Sequence, residues 1–317
     1  MAVAPSAQPL PLPRSTTGAG WPVRLVPLLT AHLVVALVAL VAIGGATRVM
    51  QAGLACPDWP LCYGVLWPGR QWNLQVFLEW FHRLDAFLVG VALLLLFALS
   101  LRFRARFPAW LPWGAGLALA LVAVQGGLGA LTVLSQLAAP TVTLHLAAAL
   151  SLVLLLSAMH QGLEHRGDVA AVDLPRWWSP LHVLAALLVG GQCLLGAAMA
   201  SRWAAPLCLE AGEGCHWLLL HRQGAYPAAV TVLLLAAASL ALPAGNGRCR
   251  GLAFAAAGLV VVQVVLGVLT LRLQLAVPAV TIAHQLTAAL LVGVLGGLWG
   301  LTFPSPSVPD RLEVAHG

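Results

Sequence analysis

The sequence predicts an all-α polytopic membrane protein, with eight transmembrane helices arranged as two parallel four-helix repeats. Three observations predict it. The 317-residue chain is 61% hydrophobic and 8% charged, with a mean hydropathy of +0.93, whereas a soluble domain carries about 25% charged residues. Apolar segments long enough to cross a bilayer recur eight times. The second half of the chain also repeats motifs of the first.

In chain order, residues 1–24 form a Pro-rich polar N-terminal segment. The first span, 25–46, lacks a convincing cleavage site and reads as a retained helix rather than a removed signal peptide. The further spans are 76–100, 110–134, 140–163, 179–200, 217–242, 252–271 and 278–300. They divide the chain into an N-terminal repeat (25–163), a linker (164–178), a C-terminal repeat (179–300) and a polar tail (301–317).

All sixteen basic residues are Arg. Ten of them (Arg14, Arg24, Arg102, Arg104, Arg106, Arg166, Arg176, Arg248, Arg250 and Arg311) fall on one side, and four (Arg48, Arg70, Arg202 and Arg272) on the other. That asymmetry predicts that both termini, the linker and the tail are cytoplasmic. The net charge of +6 is accounted for by orientation and does not point to nucleic acid. Cys56, Cys62, Cys208 and Cys215 fall in loops on the opposite, oxidising side, where disulfides persist. Two unrelated thiol pairs or a metal clip remain alternatives. Cys193 and Cys249 fall elsewhere.

The duplication is specific. QGGLGALTVLSQLAAPTVTL (125–144) matches QVVLGVLTLRLQLAVPAVTI (263–282). Gln125, Gly129, Thr132, Gln136 and Pro140 meet Gln263, Gly267, Thr270, Gln274 and Pro278. HR at 82–83 matches HR at 221–222, GG at 44–45 matches GG at 190–191, and WPLC at 59–62 matches APLC at 205–208. An even number of helices per repeat makes the halves parallel, related by an axis along the membrane normal.

The repeat selects four of the ten histidines, His82, His145, His221 and His284, each just inside the outer end of its helix. His32, His160, His165, His182, His216 and His316 have no repeat partner and read as structural or exposed. A lone membrane histidine commonly makes one interhelical hydrogen bond. Four at matched depth, two per repeat, predict two sites with facing imidazoles. Zinc would want further Cys, His or carboxylate ligands, whereas haem wants axial ligands, an apolar slot and small residues. HLAAAL and HQLTAAL supply the small residues. Arg83 and Arg222 are candidates to pair with haem propionates, or else interfacial arginines that snorkel to water.

The halves differ at one position. Glu79 lies three residues before His82, on the same helix face, where the second repeat has Leu218. A partly desolvated carboxylate beside a metal centre can move protons or stabilise developing positive charge. The other reading of EWFHR (79–83) is an interfacial helix cap. Asp85, three residues beyond His82, is a weaker second candidate.

GGATRVMQAGLACPDWPLCYG (44–64), followed by EWFHR, resembles the haem A synthase family of cytochrome oxidase assembly. The resemblance runs from the first helix to the eighth, and the loop wording is closest to bacterial, including cyanobacterial, members. It implies an oxidoreductase that oxidises the C8 methyl group of haem O to a formyl group by successive hydroxylations. It implies that His82 and His145 receive the substrate haem O, that His221 and His284 hold a haem b cofactor, and that Glu79 is the catalytic carboxylate. It assigns Cys56 and Cys62 to a loop pair that is redox-active or structural, and Cys208 and Cys215 to a structural pair. The implied partners are membrane lipid, a haem O synthase and an electron donor, with an oligomer left open. The implied location is the plasma membrane, or the thylakoid membrane in a cyanobacterium. A di-haem bis-His electron-transfer protein and a haem transporter are the alternatives. The first leaves Glu79 without a role, and the second leaves the midplane without broken helices.

Overall fold

The structure, a computed structural model, describes residues 21–165, 174–199, 208, 210–211 and 215–304. The termini, most of the expected linker and most of the loop 201–216 lie outside the described residues, together with Arg14, Arg166, Arg202, Arg311 and His316. The described chain is built from eight long helices: α1 Trp21–Val49, α2 Leu74–Arg102, α3 Trp110–Leu134, α4 Ala139–Glu164, α5 Trp178–Met199, α6 His216–Ser239, α7 Gly247–Arg272 and α8 Pro278–Gly300. Among the described residues seven are long and apolar enough to cross a membrane.

The eighth, α6, is 24 residues long, about 36 Å at 1.5 Å per residue, against a hydrocarbon core of about 30 Å. Its length suffices. It is less apolar because His216, His221, Arg222 and Gln223 occupy its first two turns and Tyr226 and Pro227 follow. At α2, Asn73 caps the helix, its side-chain oxygen accepting from the Val76 N–H at 2.9 Å. With 29 residues α2 spans about 44 Å, so EWFHR is carried inside the helix and not at its frayed tip.

The duplication is visible in the turns. Gln136 and Leu137, between α3 and α4, have φ of 54° and 61°. Gln274 and Leu275, between α7 and α8, have φ of 51° and 61°. Left-handed non-glycine residues are costly, so two matched pairs mark the same tight turn made twice. In both, an amide reaches back five residues: Leu137 N–H to the Thr132 carbonyl at 2.8 Å, and Leu275 N–H to that of Thr270 at 3.1 Å. Proline then opens α4 and α8, where its missing N–H costs nothing.

Helices α1–α4 pack as one ring and α5–α8 as another. The halves meet where α8 packs on α4 and α1, and α4 on α5. At the α4–α8 crossing, Gly296 and Gly300 lie against the Leu154 and Ala158 carbonyls, where any Cβ would collide. Leu152, Leu156, Met159, Leu295 and Leu298 fill that centre. Across the α1–α8 seam the contact is polar. The Arg48 Nη2 donates to Gln285 Oε1 at 3.3 Å, and the Gln285 amide to the Val41 carbonyl at 3.5 Å.

Candidate functional site: two imidazole pairs

His82 on α2 and His145 on α4 face each other with ring centroids 6.4 Å apart and planes 69° from parallel. The arrangement allows one metal–nitrogen bond of about 2 Å from each ring to meet at a single atom. His221 on α6 and His284 on α8 are near enough to act on each other electrostatically. Among the described residues no three His, Cys, Asp or Glu side chains converge as a metal cluster. The donor set is therefore two imidazoles per site, which suits a group that brings its own equatorial ligands.

Each imidazole is seated against a glycine of the preceding helix. A Cβ on Gly44, Gly129, Gly196 or Gly267 would lie 3.0, 3.4, 2.8 or 3.1 Å from Cε1 of His82, His145, His221 or His284 respectively. The same register recurs at α1–α2, α3–α4, α5–α6 and α7–α8. The sequence match of Gly44–Gly45 to Gly190–Gly191 does not extend to the contact with histidine. Gly190 and Gly191 have nothing within 4 Å, and Gly196 is what meets His221. Two adjacent glycines gave a visible but misleading alignment, because the contact is fixed by helix register and not by the dipeptide.

Glutamines hold three of the four rings. The Gln125 amide nitrogen lies 3.3 Å from His145 Nε2, and that of Gln263 lies 3.4 Å from His284 Nε2. Gln192 reaches His221 Nδ1 at 3.0 Å and donates to the His221 carbonyl at 2.6 Å. The Oε1 atoms of Gln125 and Gln263 are buried without partners. Turning either amide places its oxygen on the ring nitrogen, where it accepts an N–H and leaves the other nitrogen's lone pair for a metal. Those other nitrogens, Nδ1 of His145 and His284, are buried and unpartnered, as is Nδ1 of His82. The sequence paired Gln125 with Gln263 but gave no sign of Gln192, whose one signal is its place four residues before Gly196.

Glu79 is 3% exposed. Its Oε1 pairs with Arg83 Nη2 at 2.5 Å, and its Oε2 accepts from the Cys56 N–H at 2.8 Å. Arg83 Nη1 donates to the Asp58 and Leu61 carbonyls at 2.6 and 2.5 Å, and Nη2 to the Cys56 carbonyl at 3.3 Å. The pair thus straps the loop closed by the Cys56–Cys62 disulfide onto α2. Around the strap, Trp67, Trp72 and Trp80 meet edge to face at 5.0–5.3 Å, and Trp80 Nε1 donates to the Leu66 carbonyl at 2.7 Å. The expectation that Arg83 faces a propionate meets a different observation: its four hydrogen bonds go to Glu79 and three loop carbonyls. Arg222 is exposed. Cys208 and Cys215 are bonded, and Cys215 Sγ accepts from the Leu218 N–H at the start of α6. Asp85 lies six residues beyond Glu79 on α2, with His32 near it.

The family model for cytochrome oxidase assembly protein (COX15-CtaA) matches residues 28–295. The chain belongs to this family. Three relatives are each named haem A synthase. That of Shewanella oneidensis is 27% identical over 304 residues, covering 80% of this chain and 89% of the relative. That of Rhizorhabdus wittichii is 29% identical, covering 94% and 97%. That of Allorhizobium ampelinum is 28% identical, covering 96% and 99%. The matched range takes in all four site histidines, Glu79 and both cysteine pairs of this family member.

His160 and His182 sit apart from both pairs. His160 Nδ1 meets the Thr30 hydroxyl at 3.3 Å, and His182 Nε2 meets the Leu295 carbonyl at 2.8 Å. They are interhelical contacts within the core.

Proposed function

We propose that this chain is a haem A synthase, an oxidoreductase that converts the C8 methyl of haem O to the formyl group of haem A. The observation that carries the reading is the pairing of imidazoles in both halves with, among the described residues, a buried carboxylate in only one. His82 and His145 hold the substrate haem O, and His221 and His284 hold a haem b cofactor. The residues fit haem: each half brings two imidazoles near each other, the glycines keep the rings free of Cβ atoms, and the helices around them are largely apolar. Haem supplies the electron-transfer chemistry that side chains lack.

The chain's own residues supply position and proton control. Gln125, Gln192 and Gln263 fix ring orientation. Glu79 stands one turn from His82 and holds or moves a proton beside the substrate. Its bonds to Arg83 and the Cys56 amide place it at the loop's inner face, so the loop and the carboxylate move together. The disulfide Cys56–Cys62 keeps the loop compact, and Cys208–Cys215 braces the other half.

The N-terminal repeat (25–163) is the substrate half and the C-terminal repeat (179–300) the cofactor half. Both termini are cytoplasmic, and the paired loops face outward from the plasma membrane. A membrane-bound haem O synthase and an electron donor are the partners the chemistry requires.

The test is haem extraction from the purified protein, with chromatography and a pyridine haemochrome spectrum. Haem b together with haem O or haem A is expected. Haem b alone turns the reading toward the di-haem electron carrier. No haem, from cells that make it, removes both.

A further inference from the structure

Among the described residues three of the four imidazoles carry a glutamine amide, and His82 carries none. Nδ1 of His82 is buried without a partner, and what touches its ring is Gly44 and the facing His145. The equivalent position can be read from register. Gly44 and Gly196 each meet Cε1 of their histidine. Four residues before Gly196 stands Gln192, which holds His221. Four residues before Gly44 stands Leu40, packed against the apolar core. One helical turn below the same glycine, the cofactor half has an amide and the substrate half has a methyl-bearing side chain.

We infer that His82 is the exchangeable ligand of the N-terminal site, and that Gln192 is a positioning residue that makes the C-terminal site retentive. This rests on both sites being haem sites. A cofactor has to stay and a product has to leave. A ligand whose ring is tethered by a neighbouring side chain is held in one orientation, and losing such a partner commonly weakens metal affinity about 10- to 100-fold. His82 lacks that restraint, so its ring turns away at lower cost than the other three. Gly44 adds no side chain to block the turn. His145, tethered by Gln125, stays as the fixed ligand while His82 opens and closes. Glu79, one turn before His82 on the same helix, then lies beside the ligand that moves.

The test is transfer of haem from the purified protein to apomyoglobin, with each haem type followed separately by chromatography. In the wild type, haem O or haem A is expected to leave before haem b. Gln192→Leu is expected to speed haem b transfer about tenfold or more while keeping its bis-imidazole optical and EPR signature. Leu40→Gln is expected to slow the loss of haem O and haem A and so to raise their content in the purified protein. If Gln192→Leu does not fold, Leu40→Gln carries the test alone. Unchanged transfer of haem b in the first and of haem O and haem A in the second would overturn the inference and leave the synthase reading intact. A wild type that binds haem b alone would instead strike the synthase reading.

Discussion

In the first half the histidine pair lies beneath a loop strapped down by Glu79 and Arg83. In the second half Leu218 stands where Glu79 does, and Arg222 is exposed. The second half has in exchange an extra amide, Gln192, on its histidine. Both halves keep the same glycine seats and the same left-handed turns. The two halves therefore seat their four imidazoles in the same way, and they differ in groups that surround them. One half has a buried ionisable group beside its ligand, and the other has an added restraint.

The largest expected effect breaks this difference at its centre. Glu79→Gln keeps the side chain's shape and one acceptor oxygen, which serves Arg83 or the Cys56 amide but not both, and it removes the carboxylate. Haem A formation should fall about 100- to 10,000-fold, the range for a positioned acid or base, with haem b content unchanged. Assay of haem A in cells lacking the endogenous enzyme checks it, and normal haem A production would remove Glu79 from the chemistry.

Next is the strap. Arg83→Ala removes a charged pair and three donations to loop carbonyls. Hydrogen bonds to charged groups contribute about 1.5–3 kcal/mol each, so the loop should detach even if the bundle survives. Limited proteolysis across 56–66 should become faster. The Arg222→Ala variant should leave that same segment unaffected. Equal protection of the loop in both variants would refute the strap.

Much of this was legible in the sequence. Eight spans, the duplication and four matched histidines are patterns of hydropathy and identity, and long apolar periodic segments are read reliably. The fold class followed from them. What was not legible depends on register across helices. Gly196 and Gln192 are set by how α5 rotates against α6, which no local string encodes. The dipeptide Gly190–Gly191 resembled the first half and pointed the wrong way. Arg83 was read by its neighbour His82, but a side chain of that length reaches loop carbonyls 22 to 27 residues away in sequence. α6 has the length of an ordinary span, but its polar first two turns set it apart from the other seven helices.

The glycine seats sharpen the correction. Gly196→Ala puts a methyl 2.8 Å from His221 Cε1, so the ring must shift and haem b content should drop severalfold. Gly190→Ala has open space and should cost nothing beyond a small change in helix stability, which for Gly to Ala is favourable by up to about 1 kcal/mol. Absorbance of the haem per protein in the two variants decides it. Equal haem in both would mean the seat tolerates a methyl.

The smallest effect concerns the loop alone and works through pH. Asp58 accepts from the Tyr63 and Gly64 amides at 2.6 and 2.7 Å. Slight burial pushes its carboxyl up, but those two amides and the Arg83 charge outweigh it and hold it below the ordinary 3.8. A carboxyl with a lowered folded-state value binds its proton less readily when folded. Its stabilisation is therefore full above the ordinary value and is lost as pH falls through the lowered one. The loop should open on acidification below about pH 4, while the helices persist. Intrinsic fluorescence of the loop tryptophans, followed from pH 6 downward against far-UV circular dichroism, should show the first change without the second. Asp58→Asn should open the loop to the same degree at every pH in that range. A transition that survives unchanged in Asp58→Asn would assign the acid sensitivity to another group, and the buried Glu79–Arg83 strap would be the next to test.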